Sequence, residues 1–219
     1  MSTITLVRHG QANTSAQDEH NYDRLSDLGH RQAQWLGDHL DATGEHFERV
    51  YCGTLLRHRQ TAEGMRAQNR STLVVDKRLN EMEFFTLANL LRDQQGVPMP
   101  SSREAFVTYM PMLLAKWQAG EIASPPETFQ QFESRVAEIL AEIAAGRGPA
   151  LVVTSGGLIG MAFRQAMGLD ITAFSRTCIA IMNTSVHRLH PIGERLSMTQ
   201  FNAVPHLDRP DRQFAQTHL

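Results

Sequence analysis

The chain has 219 residues, 42% of them hydrophobic and 20% charged, with a formal net charge of −2. That length can bury a sizeable core as one large domain or two small ones. Its balanced charge lacks the basic footprint of a nucleic-acid binder, and no apolar run is long enough to span a bilayer. Residues 1–5 lack the basic segment and long apolar core of a signal peptide, so a cytoplasmic location is expected. Cys52 and Cys178 make no disulfide framework; both sit in apolar, strand-like segments and read as small buried thiols. Ten histidines are many, yet none falls in a metal-ligand spacing, so neither a metal nor another cofactor is expected.

Strand and helix patterns alternate along the chain. Residues 3–7 read as a buried strand. Ser26 can cap a helix in which Leu28, Ala33, Leu36, Gly37 and Leu40 recur at helical spacing. Residues 50–52 are a short second strand, 55–68 a helix and 72–75 a third strand. An acidic stretch comes next at 80–83. Residues 86–122 read as mostly helical with a break at 96–100, and Pro125-Pro126 punctuates the chain. Residues 129–145 form a long amphipathic helix, with Phe132, Val136, Ile139, Leu140 and Ile143 on one face. Residues 150–154 are a fourth strand, and Gly156-Gly157 opens a helix to about 167. Residues 179–189 and 195–201 read as a strand pair.

This alternation predicts a three-layer α/β/α sandwich with a mostly parallel sheet, one domain over 1–219. The helical block at about 85–124 has no matching strand. It either covers the sheet or forms a cap insertion that selects substrate. Within it, Arg92, Arg103, Tyr109, Lys116 and Trp117 are either substrate contacts or ordinary surface and core residues.

Three strand ends carry chemistry. The first delivers Arg8-His9-Gly10, the second leads into Arg57, and the fourth gives Thr154-Ser155-Gly156-Gly157. Open α/β sheets bind ligands outside the carboxyl ends of their strands. A guanidinium fork suits an oxyanion, imidazole is easily poised near neutral pH, and helix N-termini favour anions. Alone, the first tripeptide is equally a basic loop and Arg57 a surface arginine. Two arginines at strand ends point to a phosphoryl group rather than a carboxylate.

Over nearly its whole length the chain resembles the histidine phosphatase superfamily, the phosphoglycerate-mutase-like proteins. Leu6-Val7-Arg8-His9-Gly10-Gln11 matches the family's opening signature. Leu25-Ser26-Asp27-Leu28-Gly29-His30-Arg31-Gln32-Ala33 matches its next helix, and Arg57 with Gln60-Thr61-Ala62 its second-arginine motif. Asn183-Thr184-Ser185-Val186 and Asn202 with His206-Leu207 resemble its C-terminal strands. The resemblance implies that His9 is a nucleophile that becomes phosphohistidine. Arg8 and Arg57 would hold the phosphoryl oxygens, and a carboxylic acid would protonate the leaving oxygen and then activate water. Glu81 stands where many members carry that acid, and Glu83 competes for the role. The implied ligand is a small phosphorylated substrate, with no nucleic acid or membrane partner.

The chain departs from the family pattern at two places. Where a second histidine usually comes after the fourth strand, Ser155 stands, beside Gly156 at the expected phosphate site. Serine can donate a hydrogen bond but supplies no charge. His58, next to Arg57, either fills that gap or packs as an ordinary helix residue. Ser15 occupies a position where the mutase-type signature often has asparagine, and Asn13 can offer an amide instead. The mutase branch's acid-site sequence is also missing around Glu81, which disfavours a sugar-phosphate mutase. The resemblance thus implies a phosphatase acting on a small phosphomonoester. The rival is a catalytically weak or inactive relative that binds phosphorylated ligands or a protein partner.

Overall fold

A computed structural model describes residues 2–218. Its six-stranded sheet has the order β3-β2-β4-β1-β5-β6. The elements are β1 (Ile4–Arg8), α1 (Glu19–Tyr22), α2 (Asp27–Ala42), β2 (Arg49–Cys52), α3 (Leu56–Gly64), β3 (Leu73–Val75), α4 (Phe84–Gln95) and α5 (Arg103–Gln118). They continue with α6 (Phe129–Ala145), β4 (Ala150–Thr154), α7 (Gly156–Met167), α8 (Ile171–Ala180), β5 (Val186–Ile192) and β6 (Arg195–Ala203). β3, β2, β4 and β1 run parallel, and β5 and β6 close the sheet antiparallel.

β1 and β4 are buried along their whole length, as strands covered on both faces must be. The period of two then sorts their side chains between two cores. Ile4, Leu6 and Val152 join one with Leu91, Leu113, Phe132, Ile139 and Phe174 from α4, α5, α6 and α8. Val7, Leu151 and Val153 join the other with Leu36 and Leu40 of α2 and Ala62 of α3. The result is helix, sheet, helix. The parallel register of β1 and β4 sets Arg8 opposite Thr154, so His9 and Ser155 leave the sheet side by side. Among the described residues no helix is long and apolar enough to cross a membrane.

Two elements differ from the sequence reading. Residues 179–189 are not one strand: Ile171–Ala180 is helical and β5 begins only at Val186. Ile171, Thr172, Thr177 and Ile179 favour a strand locally. Tertiary packing overrides them. Asp170 accepts from Ala173 N at 2.7 Å to cap the helix, and Phe174, Ser175 and Cys178 are buried on one face. That face presses close to α7, where a Cβ on Gly160 would lie 2.4 Å from Cys178 Sγ. Cys178 is therefore buried, but on a helix. The other helix, expected over 55–68, ends at Gly64, and Arg66 turns left-handed at φ 55°.

Candidate active site

His9 is the first residue past β1 and is 2% exposed. Its N–H donates to Thr154 O at 2.8 Å, which ties it to β4. Its carbonyl accepts from Asn183 Nδ2 at 3.3 Å, and the carbonyl of Arg8 accepts from Thr184 N at 3.1 Å. Thr184 is a β-branched residue at φ 56°, a strained conformation. It is held by its hydroxyl, which donates to Asn183 O at 2.7 Å and meets His206 Nε2 at 2.8 Å. The C-terminal motif residues thus fix the backbone beneath the imidazole.

The ring's tautomer is set by one contact. His9 Nδ1 lies 2.7 Å from Gly10 O, and a carbonyl can only accept. Nδ1 therefore carries the proton and Nε2 keeps its lone pair. Burial, then the charges of Arg57 and Arg8 and the nearby His58, hold the imidazole well below its ordinary pKa, so it is neutral at pH 7. The arrangement leaves an imidazole lone pair beside two cations.

Both arginines are buried and both are oriented by the protein. Arg8 Nη1 donates to the carbonyls of Ile181 and, at 2.9 Å, His218. Arg57 pairs with Asp23 at 3.0 Å, and its guanidinium lies 5.0 Å from the Tyr22 ring centroid. The Asp23 carboxylate also accepts from Leu56 N and Arg57 N at 2.9 and 3.1 Å, so one side chain caps α3 and aims its arginine. Among the described residues, Nε of each arginine is buried without a protein acceptor. Two guanidinium groups so placed can grip an oxyanion.

Glu81 and Glu83 are separated clearly. Glu81 lines the same cavity as His9, Arg8 and Arg57. Its carboxylate accepts from Gly157 N at 2.8 Å and Met82 N at 3.0 Å. Glu83 is exposed, lies outside that lining, and accepts from Thr86 Oγ1 at 2.9 Å. A further carboxylate, Glu19, lines the cavity and accepts from Phe85 N at 2.8 Å; burial raises its pKa.

Ser155 stands at the N-cap of α7 but makes no capping bond. Its hydroxyl instead meets His58 Nε2 at 2.6 Å. His58 is fully buried, and its ring centroid lies 5.7 Å from that of His9. Burial, then the Arg57 charge, keeps it neutral, and among the described residues its Nδ1 has no partner. An imidazole from α3 thus occupies space beside Ser155. Gly156 and Gly157 line the cavity, whereas Ser155 and His58 stand behind its wall.

The cavity has a volume of about 470 Å³. Tyr22, Arg103 and His218 also line it, and of these three only Arg103 is a substrate contact suggested by the sequence. Arg103 Nη2 donates to His218 Nε2 at 2.5 Å, which brings the C-terminal segment to the start of α5. The other suggested contacts lie elsewhere: Tyr109 and Trp117 are buried in the core, while Arg92 and Lys116 pair with Asp93 and Glu121. Asn13 does not reach this cavity; its amide donates to Asn21 O at 3.1 Å. Asp23 and Tyr22 carried a faint signal: an Asn-Tyr-Asp segment just before the Leu-Ser helix start. Among the described residues no three His, Cys, Asp or Glu side chains are grouped to hold a metal ion.

Comparison with known proteins agrees with this fold. Residues 4–204 match the model of the histidine phosphatase superfamily (branch 1), and the chain belongs to that family. No curated relative matches the sequence. Among solved structures, a phosphoserine phosphatase mutant from Entamoeba histolytica in complex with phosphoserine is similar, with a TM-score of 0.70 at 16% identity over 94% of this chain and 100% of that one. A phosphoglycerate mutase from Bacillus anthracis gives 0.70 at 21% identity, covering 94% of each chain. A mycobacterial glucosyl-3-phosphoglycerate phosphatase, in complex with VO3, gives 0.63 at 21% identity over 92% of this chain and 98% of that one. At such identities the likeness carries the fold.

Proposed function

We propose that this protein is a phosphatase that hydrolyses a small phosphomonoester through a phosphohistidine on His9. The observation that carries the reading is the His9 tautomer. With Nδ1 donating to Gly10 O, Nε2 is the free nitrogen, beside Arg8 and Arg57. In the first half-reaction the Nε2 lone pair attacks phosphorus and the P–O ester bond breaks. The leaving oxygen takes a proton from the Glu81 carboxylic acid. In the second, the Glu81 carboxylate takes a proton from water, whose oxygen attacks phosphorus. The P–N bond then breaks, returning the electron pair to Nε2 and releasing phosphate. Arg8, Arg57 and the Gly156 N–H hold the phosphoryl oxygens, since this chemistry runs mainly on positioning and charge stabilisation.

The relatives support this reading. Two of the similar structures are phosphatases, one holding phosphoserine and one holding VO3. α4, α5 and the segment joining them supply Phe84, Met99, Arg103 and Phe106 to the cavity, and we read them as a cap over a single domain. Ser155 favours the second reading, a weak or inactive relative that binds phosphorylated ligands. A phosphomonoester panel run with wild type and His9→Ala separates the two. Turnover that His9→Ala abolishes supports the phosphatase; phosphate binding without turnover supports the binder.

A further inference from the structure

Resting on the phosphatase reading, we infer that the cavity selects phosphomonoesters whose leaving group is apolar, above all aromatic, and rejects polyhydroxylated ones. The floor of the cavity carries Arg8, His9, Arg57 and Glu81, and its walls are mainly aromatic and thioether, with Glu19 and Arg103 among them. A continuous row of rings leads away from the nucleophile. Tyr22 lies edge-on to His9 at 6.3 Å, Phe85 comes next at 5.9 Å, then Phe84 at 5.6 Å and Phe106 at 5.3 Å. Met82, Met99 and Met110 face the same space. Thioethers are adaptable and pack well on aromatic rings.

The polar groups of this half are few, and several are partly engaged. Glu19 accepts from Phe85 N at 2.8 Å, and Ser102 caps α5 by accepting from Ala105 N at 3.1 Å. Arg103 donates to His218. The Tyr22 hydroxyl and the exposed Thr14 and Ser101 remain. A sugar or glycerol body would lay its hydroxyls against phenyl and thioether surfaces and leave them unpaired, which is costly. An aryl or alkyl body would bury apolar surface and make offset or edge contacts with the ring row. A pocket with few partners for substrate hydroxyls and a mainly apolar wall discriminates on this ground.

The test pairs substrates that match in leaving-group chemistry and differ in polarity. Hexyl phosphate is compared with glycerol 1-phosphate, and 2-naphthyl phosphate with phenyl phosphate, by kcat/KM. The apolar member of the first pair should be preferred by roughly 10–200-fold, the range a hydrophobic pocket achieves. The naphthyl ester should exceed the phenyl ester, because its second ring adds apolar surface to bury against the row. Phe106→Gln, a half-buried position, should shrink both ratios. Glycerol phosphate hydrolysed as well as hexyl phosphate, or ratios that Phe106→Gln does not move, would overturn the inference. If wild type cleaves none of the four, the phosphatase reading fails, and calorimetric titration with the same four esters decides the selectivity. Tighter binding of the hexyl and naphthyl esters upholds it, and equal binding rejects it.

Discussion

Gly157→Ala tests the placement of the acid without touching the acid. Gly157 is the second residue of α7, and its N–H holds Glu81 Oε2 at 2.8 Å. A Cβ there would lie 2.3 Å from Glu81 Oε1 and 2.7 Å from Met82 Cε. Both obstacles are the far ends of flexible side chains, so the backbone has no need to move. The carboxylate must retreat by about 1 Å to restore ordinary contact, and a misplacement of about 1 Å in an active site is worth roughly 100-fold in rate. That corresponds to about 2.7 kcal/mol of barrier. Stability should move the other way, because alanine is favoured over glycine in a helix by up to about 1 kcal/mol. The assay is kcat on an alkyl phosphate together with the thermal midpoint. A fall of roughly 100-fold with an unchanged or higher midpoint is expected. An unchanged kcat would refute the assignment of the acid to this carboxylate.

Three further outcomes are expected. Glu81→Gln should slow alkyl phosphates more than aryl phosphates, because only a poor leaving group needs its oxygen protonated as it departs, and Glu83→Gln should not show that pattern; a reversed result moves the acid by two residues. Ser155→Ala leaves the buried His58 Nε2 without its partner, at a cost of about 1–3 kcal/mol, and should lower the thermal midpoint by several degrees; adding His58→Leu should recover part of that loss, since removing both partners is close to neutral. Differential scanning calorimetry of the two variants decides it, and a midpoint unmoved in Ser155→Ala would sink it. Stability should also fall with acid: His187 and His206, buried and held neutral with pKa values pushed down to about 3, bind protons only when unfolded between pH 6.5 and 3, so their contribution is complete above pH 6.5 and is lost as pH falls through that window. Each loses about 2 kcal/mol by pH 5, at about 1.36 kcal/mol per unit. Urea melts at pH 7 and pH 5 on wild type and His187→Gln measure it, and equal pH slopes in the two would contradict it.

The sheet and its order of elements were legible because strands buried on both faces write themselves as apolar runs, as Ile4 to Val7 and Ala150 to Val153 do. The charged end of the site was legible for a related reason: Arg8 ends a strand and His9, Arg57 and Glu81 each follow one, where an α/β sheet must place its ligand. α8 was not legible, because four β-branched residues masked a helix whose identity is settled by its packing on α7. The choice between Glu81 and Glu83 was open in the sequence, where both are charges in one loop. Only the fold shows one turned to the cavity and the other to solvent. The His58–Ser155 contact joins positions 97 residues apart; the sequence offered His58 beside Ser155 as one of two alternatives, and the fold shows the two in contact. Nothing local announces His218, which reaches Arg8 from the far end of the chain.

The most direct measurement is capture of the covalent intermediate. Wild type is mixed with a radiolabelled aryl phosphate, quenched in base within the first turnover, and mapped by mass spectrometry. A single phosphoryl group on His9 Nε2, stable to base, labile to acid and absent from His9→Ala, is the predicted result. Turnover with no adduct on His9, or full turnover by His9→Ala, would contradict it.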